Sequence, residues 1–264
     1  MMKIQIYEIQ DPFEAETIIA LGVDHIGSVI ISETDWKVTG VKDTVEAVRS
    51  SSAKSSLIPL FSATDSVMRT LDYYRPDIVH FCEALTDQQN KWDNCRRLIR
   101  LQENVKRRYP QIMIMRSIPI ARSGKINSVP TLEFAKYFEP VSDFFLTDTL
   151  LPDEPGSASD PQPVRGFVGI TGQTCNWETA RDLVAVSRIP VILAGGISPD
   201  NVAEGIVQVR PAGVDSCTLT NATDHRGLPI RFRKDPGKVK KLVDAVREAE
   251  KHYPGKPAKI RGND

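Results

Sequence analysis

Short segments of β-branched and apolar residues recur along the whole chain, and each is followed by a stretch whose apolar positions fall at helical spacing. Lys3 to Tyr7 reads as a first strand. Asp11 to Leu21 follows as a helix, with Pro12 in its first turn and apolar positions at Phe13, Ile18 and Leu21. The same alternation gives strands at His25 to Ile31, Ser56 to Phe61 and Asp77 to Phe81, with helices at Val41 to Arg49 and Asp65 to Tyr74 and Thr64 as the N-cap of the latter. A long basic helix, Gln88 to Arg108, precedes a fifth strand that runs from Ile112 through Ile118. Thr131 to Tyr137 is helix five and Asp143 to Leu146 strand six. Trp177 to Ser187, Pro190 to Ala194, Pro199 to Val209, Gly213 to Cys217 and Pro236 to Glu250 complete the pattern.

Sequential β-α units form parallel sheets with right-handed crossovers, and eight of them close most naturally into a single-domain α/β (β/α)8 TIM barrel. An open doubly wound sheet would place a glycine-rich loop after its first strand, whereas here the glycines gather after strands six and seven. The 264-residue length sits near the roughly 250 of one such barrel. The domain is therefore expected to span 1–252, with a polar tail at 253–264. The segment from Leu150 to Arg165, with four prolines, is a loop and a candidate lid, and Gly166 to Ile170 emerges from it in extended form.

Composition narrows the partners. Hydrophobic residues at 41% supply a large core, and Lys plus Arg balance Asp plus Glu at 34 each, so no net field draws the chain to nucleic acid or to an anionic membrane. The basic run on helix four is interspersed with Asp93 and Glu103 and reads as a solvated outer face. Cys82, Cys95, Cys175 and Cys217 are scattered and read as reduced thiols of a cytoplasmic protein, with no metal-ligand spacing. Neither a signal peptide nor a membrane span is expected, and nothing calls for a cofactor.

Any anion site is then local, and loops after the last barrel strands commonly cradle phosphate. After strand seven comes Ala194-Gly195-Gly196-Ile197-Ser198-Pro199, where glycines let amides approach an anion and Pro199 can open a helix. A second glycine loop, Gly169-Ile170-Thr171-Gly172-Gln173-Thr174, precedes helix six, and Thr218 and Thr220 follow strand eight. Gly172, Gly195, Gly196 and Thr218 are thus the expected phosphate ligands, for a phosphorylated small molecule. His80 either titrates at the barrel mouth or is satisfied in the interior. Trp92 and Trp177 read as packing residues.

These segments resemble the phosphoribosylanthranilate isomerase family. VILAGGISPDNVAEGIVQVRPAGVDS, residues 191 to 216, is similar to its strand-seven to strand-eight region, and GITGQTCNW at 169 to 177 resembles its G-G-T-G-x-x-F-D-W loop. ALGVDHIGSVI, PDIVHF and FFLTDT resemble its second, fourth and sixth strands. The resemblance implies an Amadori rearrangement with Asp148 as general acid. It places Tyr7, within Gln5-Ile6-Tyr7-Glu8, where the family has its catalytic Cys. By strand alternation Glu8 faces away from Tyr7. Trp36, with Lys37 beside it, stands at the family's carboxylate-binding Arg, Asn176 at the loop-six Asp, and Leu219 at a phosphate-loop glycine. Two other readings stay open: a related lyase or epimerase on a different phosphosugar, and a catalytically silent phosphometabolite-binding barrel. A homodimer through the outer helices is compatible with the sequence.

Overall fold

A computed structural model of the chain describes residues 1–85, 91–124, 129–151 and 162–253. Eight parallel strands close on themselves in sequence order: β1 (Lys3–Ile6), β2 (His25–Ile30), β3 (Lys54–Pro59), β4 (Ile78–Phe81), β5 (Met113–Ala121), β6 (Phe144–Leu150), β7 (Val191–Leu193) and β8 (Gly213–Ser216). Closure is made by β1 against β8, with Gln5 level with Asp215. The helices are α1 (Pro12–Ala20), α2 (Thr39–Arg49), α3 (Thr64–Tyr74), α4 (Lys91–Arg108), α5 (Thr131–Phe138), α6 (Trp177–Val186), α7 (Val202–Val209) and α8 (Pro236–His252). The expected TIM barrel is the observed fold.

Alternation along the strands divides the apolar side chains into two bodies. Ile4, Ile6, Ile26, Ile114, Phe145 and Val214 point outward into the layer shared with the helices. Tyr7, Val29, Ile58, Ile78, Met115, Leu146 and Ile192 fill the lumen. Gln5 and Asp215 enter that lumen as a polar pair, with Gln5 Nε2 donating to Asp215 Oδ1 at 3.1 Å. No described helix is long and apolar enough to cross a membrane.

Several boundaries differ from expectation for identifiable reasons. Thr64 is the first residue of α3 and not its cap, since Ala63 takes the extended N-cap conformation without a side-chain bond. Pro199 does not open α7: Asn201 Oδ1 accepts the Ser198 amide at 2.9 Å, holding residues 199–201 as a turn before the helix starts at Val202. β6 runs past Leu146 to Leu150, because the Thr147 hydroxyl donates to Ala194 O at 3.0 Å and Thr149 to Gln173 O at 2.6 Å, which lets two polar residues sit buried in a strand. Gly166 to Ile170 forms no strand beyond a single bridge, Glu83 with Phe167. After β8 the chain adds an antiparallel hairpin that the periodicity did not reveal, β9 (Asn221–Thr223) with β10 (Pro229–Lys234). Residues 86–90 at the expected start of helix four, most of the candidate lid (152–161), and 254–264 of the tail lie outside the described residues.

Candidate active site

At the C-terminal end of the strands opens a cleft of about 730 Å³, its mouth included. Its wall brings together residues from both ends of the chain: Tyr7 and Glu8 after β1, Asp148 on β6, Gly172, Gly195 and Gly196 on the next two loops, and Asp215 and Thr218 at β8. Loops six, seven and eight therefore face one space.

Loops six and seven are locked together by glycine. Gly196 has φ +62°, and a Cβ there would lie 2.5 Å from the backbone of Gln173 and Thr174. Gly172 abuts loop eight, where the Thr218 methyl would stand 3.5 Å from an added Cβ. Among the described residues no hydrogen bond uses the amides of Gly172, Gly195 or Gly196. Three residues of the cleft wall thus keep amides that no described group uses, an arrangement suited to an anion.

Alternation along β6 turns Leu146 and Asp148 inward. Burial pushes the Asp148 carboxyl up to about 7, opposed only by the Thr149 amide that donates to its Oδ1 at 2.9 Å. A carboxyl so placed is partly protonated at neutral pH and can deliver a proton. Asp215 is raised further, to about 8, by burial; the Gln5 amide opposes that and Asp148 adds to it. Sequence reasoning missed Asp215; the available signal was a carboxylate on the inward face of a buried strand.

The Asp215 shift has a stability consequence. Its folded-state value lies above the ordinary 3.8, so the folded protein keeps a proton that the unfolded chain has already lost. Stability therefore falls as pH rises from the unfolded value through about 8. Asp215→Asn should remove that dependence, flattening chemical-denaturation stability between about pH 6 and about pH 9 by about 3 kcal/mol relative to wild type. Equal slopes for the two proteins would refute the assignment.

Tyr7 sits in the lumen, its hydroxyl 2.5 Å from Ser56 Oγ and 2.8 Å from His80 Nδ1. Gly27 on β2 makes the room: a side chain there would run into the Tyr7 ring. Burial drives the phenol well above 10, so Tyr7 is a neutral hydrogen-bonding group and a poor proton acceptor. His80, with Nε2 2.8 Å from Ser117 Oγ, is pushed down to about 3 by burial and by the Arg116 charge. It is the satisfied interior histidine of the two readings.

Glu8 corrects the alternation argument. β1 ends at Ile6 and Glu8 takes φ +64°, which swings its side chain onto the same cleft as Tyr7. Its Oε1 accepts from Arg231 of β10, with Nε at 2.8 Å and Nη2 also bonded.

Three expected ligands stand elsewhere. Trp36 packs edge-on against Tyr73 of α3 at 5.5 Å between ring centroids, and Lys37 Nζ lies over the Trp36 ring at 5.2 Å, neither lining the cleft. Asn176 is the N-cap of α6, its Oδ1 accepting the Thr179 amide at 2.9 Å. The family resemblance placed all three near the rim, but packing on helices claimed their side chains. On α4 the basic residues are largely engaged within the chain, Lys106 with Asp143 at 3.0 Å and Arg108 with Asp72 at 2.7 Å.

Comparison with known proteins identifies the family and the fold. The family model for N-(5'-phosphoribosyl)anthranilate (PRA) isomerase matches residues 112–245. An N-(5'-phosphoribosyl)anthranilate isomerase of Methanothrix thermoacetophila is 24% identical over 95% of this chain and 100% of its own. That of Methanocella arvoryzae is 32% identical, but over 55% of each chain. A solved phosphoribosyl anthranilate isomerase, in complex with reduced 1-(o-carboxyphenylamino)-1-deoxyribulose 5-phosphate, shares the fold at a TM-score of 0.65 and 15% identity, over 94% of this chain and 100% of that one.

Proposed function

Because this chain belongs to the phosphoribosylanthranilate isomerase family, we propose that it rearranges N-(5'-phosphoribosyl)anthranilate into 1-(o-carboxyphenylamino)-1-deoxyribulose 5-phosphate, an aldose-to-ketose isomerisation of tryptophan biosynthesis. The observation that carries the reading is the meeting of unspent glycine amides with a proton-bearing carboxyl in one cleft. The amides of Gly172, Gly195 and Gly196, with the Thr218 hydroxyl, hold the 5'-phosphate and fix the sugar in the cleft.

Asp148 then protonates the ring oxygen. The C1–O bond breaks and the nitrogen lone pair forms a C1–N double bond, leaving an iminium that acidifies the C2 proton. Removal of that proton gives an enolamine, and protonation at C1 with loss of the enol proton yields the ketone. Asp215, protonated in the same range, donates a hydrogen bond to a substrate hydroxyl. Tyr7 contributes as a neutral hydrogen-bonding wall. Outer faces such as the exposed Leu132 and Tyr137 of α5 offer a surface for a homodimer, which sedimentation reads.

One observation favours a second reading. The described cleft lining contains neither Lys nor Arg, so nothing there pairs with the anthranilate carboxylate, and a phosphosugar without that group fits as well. Turnover of N-(5'-phosphoribosyl)anthranilate by the purified protein, together with rescue of a tryptophan auxotroph lacking the isomerase, is the expected result. Failure of both, with thermal stabilisation by another phosphosugar, would replace the first reading by the second.

A further inference from the structure

The lumen end of β1 holds a carboxylate that the reaction as described does not use. Glu8 is 1% exposed, and one of its oxygens, Oε1, is held by Arg231. The other, Oε2, is buried and makes no hydrogen bond of normal length and angle among the described residues, although the Cys217 thiol lies close enough to the carboxylate to feel it. A carboxylate with one oxygen anchored and one bare is costly to bury unless something uses the bare oxygen.

The surroundings hold the carboxylate in the wall of the cleft. Glu8 occupies a left-handed conformation, φ +64°, uncommon for a residue with a Cβ and of the kind that collects at functional sites. The β9–β10 hairpin brings Arg231, whose guanidinium lies over the Phe232 ring at 4.8 Å, against the carboxylate. Phe232 in turn packs on the lumen cluster that contains Tyr7. Of the neighbouring ionisable groups, Tyr7 and Cys217 both stay protonated because burial raises them, and Asp215 holds a proton of its own. Asp148 lies three strands away around the barrel, through β7 and β8, on the other side of the cleft.

We infer that Glu8 is the general base of the rearrangement, its Oε2 removing the C2 proton while Asp148 serves the ring oxygen from the opposite wall. This inference rests on the isomerase reading given above. The balance is simple: Oε2 takes the C2 proton, the C2–H electron pair becomes the C1–C2 double bond of the enolamine, and the C1–N π pair returns to nitrogen. The acquired proton is available for C1 in the second half of the reaction. Arg231 acts as a positioning residue, holding Oε1 so that Oε2 is left for the substrate. The proton acceptor has moved one residue along the chain from the Tyr7 position, and the left-handed turn makes the move possible.

Glu8→Gln should lower kcat by about 10²- to 10⁴-fold, the usual worth of a general base, with KM changed little. A second variant guards against loss of folding: Glu8→Gly relaxes the backbone at a positive φ and opens a space the size of a small carboxylate. Formate should restore turnover to Glu8→Gly by at least about tenfold while leaving wild type unchanged, since a merely structural ion pair gives no such rescue. A Glu8→Gln enzyme within about tenfold of wild type, or a folded Glu8→Gly protein that formate does not rescue, would overturn the assignment while leaving the isomerase reading intact. If wild type itself fails to turn over N-(5'-phosphoribosyl)anthranilate, both fall together.

Discussion

Asp148→Asn is expected to lower kcat by about 10²- to 10⁴-fold, with binding of reduced 1-(o-carboxyphenylamino)-1-deoxyribulose 5-phosphate nearly unchanged. The asymmetry follows from where the proton is needed. In the bound state the inward carboxyl is a hydrogen-bonding neighbour, and the amide of Asn replaces it in nearly the same volume. In the transition state the ring oxygen leaves as an alkoxide unless a proton arrives, and an amide has none to give. The pH dependence carries the same signature with a definite sign. Asp148 must be protonated to act and its value is about 7, so kcat of wild type should fall as pH rises through about 7, a limb absent from the Asn variant's residual rate. An Asn variant with wild-type kcat would remove Asp148 from the mechanism.

Gly196→Ala is the second large effect, and it acts on the phosphate end. The added methyl would stand 2.5 Å from the backbone of Gln173 and Thr174, and φ +62° disfavours a side chain in any case. The neighbours cannot yield as a flexible side chain would, because both clashing groups are main chain. Loops six and seven must therefore part, and the amides of Gly172 and Gly195 lose their common focus. Two charge-assisted hydrogen bonds at about 1.5 kcal/mol or more apiece give a rise in KM of at least about 100-fold. Inorganic phosphate, a competitive inhibitor of wild type on this account, should inhibit the variant far more weakly. Wild-type KM in a folded Gly196→Ala protein would show that phosphate is held elsewhere.

The two predictions probe groups of different legibility. Gly172, Gly195 and Gly196 could be picked out along the chain because each lies in a loop after a barrel strand, and in this fold all such loops share one face, whereas Asp148 was marked by the resemblance to the isomerase family. The geometry of a β-α repeat does the bringing together. Trp36, Lys37 and Asn176 obeyed the same geography yet left the site, since a side chain at a loop can turn toward a neighbouring helix as readily as toward the cleft. Tyr73 of α3 took the first two, and the open end of α6 took the third.

What the sequence determined by itself is the class of fold and the ring of positions from which chemistry can come, because apolar periodicity and glycine placement are local properties that read directly as strand, helix and loop. Ionisation and direction belonged to the tertiary structure. Asp148 at about 7, Asp215 at about 8 and His80 at about 3 owe their values first to burial, which depends on residues far away in sequence. Glu8 turned inward because its strand ended two residues before it, at Ile6, and a hairpin 223 residues away supplied Arg231 to hold it. Charges are settled by what surrounds them in space, and only the closed barrel defines that surrounding.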